Sequence, residues 1–169
     1  MGGAVRDLQE RRTVGAALSR LRRPLVVVGV ATAVVAIVVD QVTKSLAVSA
    51  LDGREPIHIV WTLQLSLAYN SGVAFSLGRG SGLTVVPVAL TVIVVVVLIG
   101  RSMEGRLSGM CLGLIVGGAV GNVVDRLLRS HNGAVIDFID FQWWPVFNVA
   151  DACIVCGGIG LGLLALRRA

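Results

Sequence analysis

An all-α integral membrane protein with four transmembrane helices, and a small extracytoplasmic β-sheet between the first two, is the fold class this sequence predicts. Three observations carry it. Of 169 residues, 55% are apolar and 15% charged, with a mean hydropathy of +0.84, whereas a soluble domain is about 45–50% apolar and about a quarter charged. The apolar residues gather into four long runs, near the ~20 residues that cross about 30 Å of hydrocarbon. One further stretch, residues 57 to 68, alternates apolar and polar side chains, the period of a half-buried strand. The length suits one compact domain.

Residues 1–24 read as a basic cytoplasmic tail. The first span starts after Pro24 with L-V-V-V-G-V-A-T-A-V-V-A-I-V-V and meets its first charge at Asp40. In an extracytoplasmic loop of about 52–82, I-H-I-V-W-T-L-Q-L-S-L-A places apolar side chains at 57, 59, 61, 63, 65 and 67. That pattern predicts a strand in a small sheet over the membrane; a plain hairpin shielding the helix ends is the alternative. The second span is Leu83 to Ile99, with Pro87 in its first turns. The third runs from Leu107 to Val124 and ends at Asp125, and the fourth from about Phe147 to Leu166. Residues 167–169 form a cytoplasmic C-terminus. Valine-rich runs also suit buried strands, but the seventeen-residue second run exceeds a typical strand.

Orientation follows from the basic residues. With both termini inside, Arg6, Arg11, Arg12, Arg20, Arg22, Arg23, Arg101, Arg106, Arg167 and Arg168 are cytoplasmic, ten of the fifteen, as the positive-inside rule requires. Seven of the ten acidic residues fall outside. The net charge of +5 calls for no nucleic acid, because an Arg-rich segment beside a membrane serves topology or lipid contact. A cleaved signal peptide ending near Ala47-Val48-Ser49 is the rival reading of the N-terminus. Asp40 and Lys44 would then stand between the apolar run and the cut, and only three spans would remain.

This topology brings acids together. Asp40 lies about 15 residues beyond Leu25, roughly 22 Å along a helix; Asp125 ends the third span and Asp151 opens the fourth. All three are expected at the outer level, from three helices. Asn122 and Asp125 are three apart, as are Asn148 and Asp151, so each pair shares a helix face. Asn148 and Asp151 also fit plain N-capping. Capping does not explain Asp125, at a helix C-terminus where the dipole disfavours an anion. A carboxylate there costs up to about 2.5–3.5 kcal/mol, a default sign of function. Two carboxyls brought together share a proton, so one can take a proton from water while the other hydrogen-bonds a carbonyl oxygen, as in aspartic peptidases. No G-x-S-x-G or H-E-x-x-H occurs, and the histidines are His58 and His131.

These residues carry a resemblance. D-Q-V-T-K at 40–44, N-S-G-V-A-F at 70–75, G-G-A-V-G-N-V-V-D-R at 117–126, V-I-D-F at 135–138 and F-N-V-A-D at 147–151 run in the order found in lipoprotein signal peptidase (signal peptidase II). The chain resembles that family of bacterial membrane aspartic peptidases over about two-thirds of its length. The resemblance implies Asp125 and Asp151 as the catalytic pair. It implies supporting or substrate-contacting roles for Asp40, Lys44, Asn70, Gly72, Asn122, Arg126, Asp137 and Asn148. It further implies a diacylglyceryl-modified prolipoprotein substrate cut before the lipidated cysteine, a β-cradle over the site, and a plasma-membrane enzyme with an extracytoplasmic active site. No cofactor or metal is expected, membrane lipids are partners, and nucleic acid is not. Snorkelling is the alternative for Lys44, a structural role for Asp137, and phosphate pairing or snorkelling for Arg126.

Gly109, Gly113, Gly117 and Gly121 recur every four residues, a smooth face for close helix packing. Within a monomer this packing is expected to bring Asp125 near Asp151; homodimerisation is the alternative. Trp143 and Trp144 read as an interfacial aromatic belt, and Cys111, Cys153 and Cys156 as apolar filler rather than a redox pair. The rival function is a proton- or ion-coupled transporter, whose acids belong near the midplane between repeats. A scaffold would explain the glycines but not the aspartates.

Overall fold

The computed structural model describes residues 2–72, 86–100, 103–129 and 131–167, with residues 2–23, 88 and 97 described by backbone alone. The chain is mostly helical with a three-stranded antiparallel sheet. In order it forms α1 (Gly2–Leu51), β1 (Ile57–Val60), β2 (Leu63–Asn70), α2 (Val86–Gly100), α3 (Arg106–Leu128), β3 (Val135–Asp140) and α4 (Val149–Leu166). Residues 83–85 of the second apolar run, 73–75 of the N-S-G-V-A-F stretch, 73–82 of the loop, and Arg79, Arg101 and Arg168 lie outside the described residues.

Among the described residues, three helices are long and apolar enough to cross a membrane: Pro24–Leu51, Arg106–Leu128 and Val149–Leu166. The second run contributes the 15-residue α2, about 22 Å long at 1.5 Å per residue. Pro87 is its second residue, where the missing N–H breaks no helical bond. α1 keeps Pro24 in its interior and continues past Asp40 to Leu51. The rival signal-peptide cut at 47–49 therefore falls inside this helix, where Ala47 is buried with Leu51 and Phe138.

The predicted strand over 57–68 is two strands. Trp61 takes a left-handed φ of 51° and turns the chain into a hairpin, so β1 pairs with β2 and β2 with β3. β1 is exposed on both faces and Trp61 is 96% exposed. β3, the V-I-D-F stretch, is buried through its first four residues. The strand that organises the interior is thus the one without an alternating pattern, because Ile136 and Asp137 both face packed protein.

α3 lies at the centre. A Cβ on Gly109, Gly113 or Gly117 would collide with backbone of α1 at Leu25, Gly29 or Ala33, and one on Gly121 would lie 2.6 Å from the Asp40 carboxylate. The glycine stripe therefore packs on α1, not on α4 as the expected approach of Asp125 to Asp151 requires. α4 meets a different face: a Cβ on Gly118 would strike the Ala150 carbonyl, and one on Gly157 would strike that of Cys111. The consequence is that Asp125 is pressed toward α1.

Candidate active site

Lys44 is the hub of the α1–α3 seam. One turn after Asp40, its side chain is fully buried, and its Nζ lies 2.9 Å from Asp40 Oδ2 and 2.8 Å from Asp125 Oδ2. It also donates to Asn122 Oδ1 at 3.0 Å. An ammonium has three donors and no acceptor, and all three are used, so Lys44 does not snorkel. The same rule orients Asn122: its oxygen must face Lys44, which aims Nδ2 at Asp151 Oδ1, 2.8 Å away.

Asp125 is fully buried and saturated. Its Oδ1 receives Gln41 Nε2 at 2.9 Å and lies 3.2 Å from Arg129 Nε; its Oδ2 faces Lys44 and accepts from the Ile136 N–H at 3.2 Å. A carboxylate has about four acceptor sites. Here two cations and two neutral donors fill them. Asp40, also fully buried, ties the seam to α4 by accepting from Ala150 N–H at 2.9 Å.

Asn148 builds the second half of the site. It caps α4 by accepting from Asp151 N–H at 3.0 Å, while its own N–H donates to Asp151 Oδ2 at 3.2 Å, a reciprocal capping box that satisfies helix-terminal donors. Its side-chain Nδ2 donates to Asp137 Oδ1 at 2.6 Å and approaches Asn122 Oδ1 at 3.2 Å. Capping is therefore real, and the capping residue also joins two carboxyls. Asp137 receives a second bond from Asn70 Nδ2 at 3.0 Å. Gly72, at a left-handed φ of 74°, donates its N–H to Asn70 Oδ1 at 2.8 Å and so fixes that amide.

Asp137 and Asp151 thus accept two bonds each from neutral donors and retain open acceptor sites. Burial pushes the Asp137 carboxyl up to about 6. The charge of Asp151 adds to the rise, while the bonds from Asn70 and Asn148 and the charge of Lys44 oppose it. Asp140, on the opposite face of β3, is held below the usual carboxylate range by bonds from Gln64 and the Gln142 N–H. Arg126 donates to the Gly133 carbonyl at 2.9 Å and to that of Asn70 at 3.4 Å, and its charge acts most on Asp137, then on Asp125 and Asp151.

Four carboxyls (Asp40, Asp125, Asp137, Asp151) therefore face three cations (Lys44, Arg126, Arg129). Among them, Asp137 is the carboxyl that burial raises to about 6. The structure brings together every site residue named from the sequence. Gln41 and Arg129 went unmarked there, although Gln41 adjoins Asp40 and Arg129 stands one helical turn beyond Asp125.

A family model described as Signal peptidase (SPase) II matches residues 32–167. The lipoprotein signal peptidase of Rhodococcus jostii (strain RHA1) is 42% identical over 136 residues, spanning 78% of this chain and 69% of that protein. Its counterpart in Mycolicibacterium smegmatis is 43% identical over 138 residues, 79% of this chain and 59% of that one. A solved bacterial membrane enzyme superposes with a TM-score of 0.72 at 23% identity, covering 83% of this chain and 94% of that structure; at this identity the likeness is one of fold.

Proposed function

This chain belongs to the signal peptidase II family and is a peptidase that removes signal peptides from lipoproteins; we propose that it does so with the carboxyls of Asp137 and Asp151. The observation that carries the pairing is Asn148, which donates to both through its side chain and its backbone. The sequence reading pairs Asp151 with Asp125 instead. Asp125 has no acceptor site left for water or substrate, its four being taken by Lys44, Arg129, Gln41 and the Ile136 N–H. We therefore assign it to support, with Asp40 and Lys44.

In the proposed reaction Asp151 takes a proton from water, whose oxygen attacks the scissile carbonyl carbon. Asp137, in its protonated form, hydrogen-bonds the carbonyl oxygen and gives it a proton. Collapse of the gem-diol intermediate breaks the C–N bond: one of its hydroxyls returns a proton to Asp137 as the new carboxyl forms, the leaving amine takes the proton held by Asp151, and both carboxyls regain their starting states. Asn70, Gly72 and Arg126 border the pair and contact the peptide. The products are a free signal peptide and a protein beginning with a lipid-bearing cysteine.

The remaining features support a multi-pass plasma-membrane enzyme with four spans, cytoplasmic termini and the site at the outer face. Ten of fifteen basic residues fall inside under this topology, and Trp143 and Trp144, 71% and 59% exposed, stand just before α4 as interfacial anchors. The substrate is a diacylglyceryl-modified prolipoprotein. Burial of its acyl chains contributes about 0.8 kcal/mol per CH₂, remote binding energy that aligns the scissile peptide. The chain works as a monomer, its glycine stripe being occupied by its own α1.

One assay tests the reading. Purified in detergent, the protein should cleave a diacylglyceryl-modified prolipoprotein and barely cut the unmodified polypeptide. Equal cutting of both overturns lipid recognition. No cutting, with Asp125-dependent proton flux in liposomes, replaces the peptidase with the transporter.

A further inference from the structure

We propose that Arg129 is a positioning residue that sets how many protons the acid cluster holds and thereby keeps Asp151 available as the base. The inference rests on the Asp137–Asp151 reading. Arg129 caps the C-terminus of α3, its N–H bonded to the Asp125 carbonyl at 3.1 Å. Its Nε lies 3.2 Å from Asp125 Oδ1, and its Nη2 reaches across to α1, 3.3 Å from both the Gln41 carbonyl and Gln41 Oε1 and 3.0 Å from Ser45 Oγ. The planar fork of a guanidinium suits such a multi-point clasp, and its charge suits a helix C-terminus.

The charge count gives the clasp its consequence. With Arg129, four carboxyls face three cations and one proton closes the deficit. Without it, Lys44 alone balances Asp40 and Asp125, and the ammonium that orients Asn122 toward Asp151 is drawn away from that amide. The cluster then takes up a second proton at the same pH, because an uncompensated like charge favours the protonated form. With that proton in the cluster and Asn122 displaced, Asp151 is no longer held as the base. Arg129 touches neither Asp137 nor Asp151, so peptide binding is spared.

The surroundings leave this balance in charge of the pH response. On α3 the neighbours are Asp125 and Arg126, on α1 Asp40 and Lys44, on β3 Asp137 and on α4 Asp151. On β2 it is Tyr69, which Arg129 also influences, which feels Asp52 and which stacks on His131 at 4.5 Å.

The test uses purified full-length enzyme and a diacylglyceryl-modified prolipoprotein peptide, with rates normalised to folded protein. R129Q should lower kcat about tenfold on the acid limb of the pH–rate profile with KM within about twofold, moving that limb up by about one unit, a tenfold change in the ionised fraction. R129K, which keeps the charge, should restore most of kcat and the wild-type limb. An R129Q enzyme with unchanged kcat and profile, or one whose loss lies only in KM or in folded fraction, overturns the proposal. Should R129Q not fold, R129H carries the test. Its rate relative to wild type should fall as pH rises through the imidazole's titration at about 6.5, and a constant ratio overturns the proposal. A wild-type enzyme that does not cleave overturns the catalytic reading itself, a separate outcome.

Discussion

Asp125 and Asp151 each accept hydrogen bonds on both oxygens, yet their donors differ in kind. Asp125 is enclosed by Lys44, Arg129, Gln41 and the Ile136 N–H; Asp151 is held by Asn122 and the Asn148 N–H. The cations and their companions fill the acceptor sites of Asp125. The amides leave acceptor sites open on Asp151, so under the proposed reading the amide-held acids are the ones that exchange a proton. Asp137, held by Asn70 and Asn148, belongs with Asp151. In the reading we propose, the cation-lined seam sets geometry and the amide-lined pocket transfers the protons.

The sharpest way to break this division is to neutralise its acids one at a time. D137N and D151N should each lower turnover by about 10²–10⁴-fold, the contribution of a positioned acid or base, without lowering the unfolding temperature. D125N should lose less turnover and more stability. A D137N enzyme near wild-type rate, with D125N inactive, would reverse the pairing and restore the dyad read from the sequence.

K44M probes the seam from the cationic side. Stripping the only buried ammonium from Asp40 and Asp125 should cost about 3–5 kcal/mol, since it leaves buried charge without a partner. Thermal unfolding in detergent measures this, and a loss below about 1 kcal/mol would show that the seam is not held by charge.

Helix approach gives the next contrast. Gly113→Ala places a methyl against Gly29 backbone and Thr32, whereas Gly158→Ala meets nothing within 4 Å. The first should destabilise by about 1–3 kcal/mol, as overpacking does; the second should be neutral or slightly stabilising, alanine being the better helix former. Equal effects would mean that the stripe does not set the α1–α3 distance.

The smallest effect concerns pH. Asp137 keeps its proton below about 6 and loses it as pH rises, so if its protonated form is the acid, kcat/KM should decline above about pH 6, approaching tenfold per unit. Since kcat/KM reports groups of the free enzyme, a flat profile from pH 5 to 8 would remove Asp137 as the acid.

Much of this was legible in the residues. Long uncharged runs can only be spans or deep core, which made α3 and α4 readable within a few residues, whereas α1 extends well beyond both Pro24 and Asp40. Period two exposed the 57–68 segment as β, but not its division at Trp61, because an isolated left-handed φ leaves no mark on hydrophobic alternation. β3 escaped for the opposite reason: buried at Val135 to Phe138 without a break, it has no polar face to alternate. Arg129 was countable as a basic residue outside, yet nothing local distinguished it from Arg126.

The sequence by itself determined a membrane protein with the motif order of the signal peptidase II family, since motif order and apolar runs are local properties; the approach of Asp125 to Asp151 expected from it is not a contact the fold makes. The pairing of Asp137 with Asp151 that we propose rests on the tertiary structure. That choice turns on the four-residue glycine stripe facing α1 rather than α4, on Lys44 spending its three protons on Asp40, Asp125 and Asn122, and on β3 carrying Asp137 to Asn148. Each is a contact between residues distant in the chain, and a carboxyl's charge state depends on which donors surround it in space.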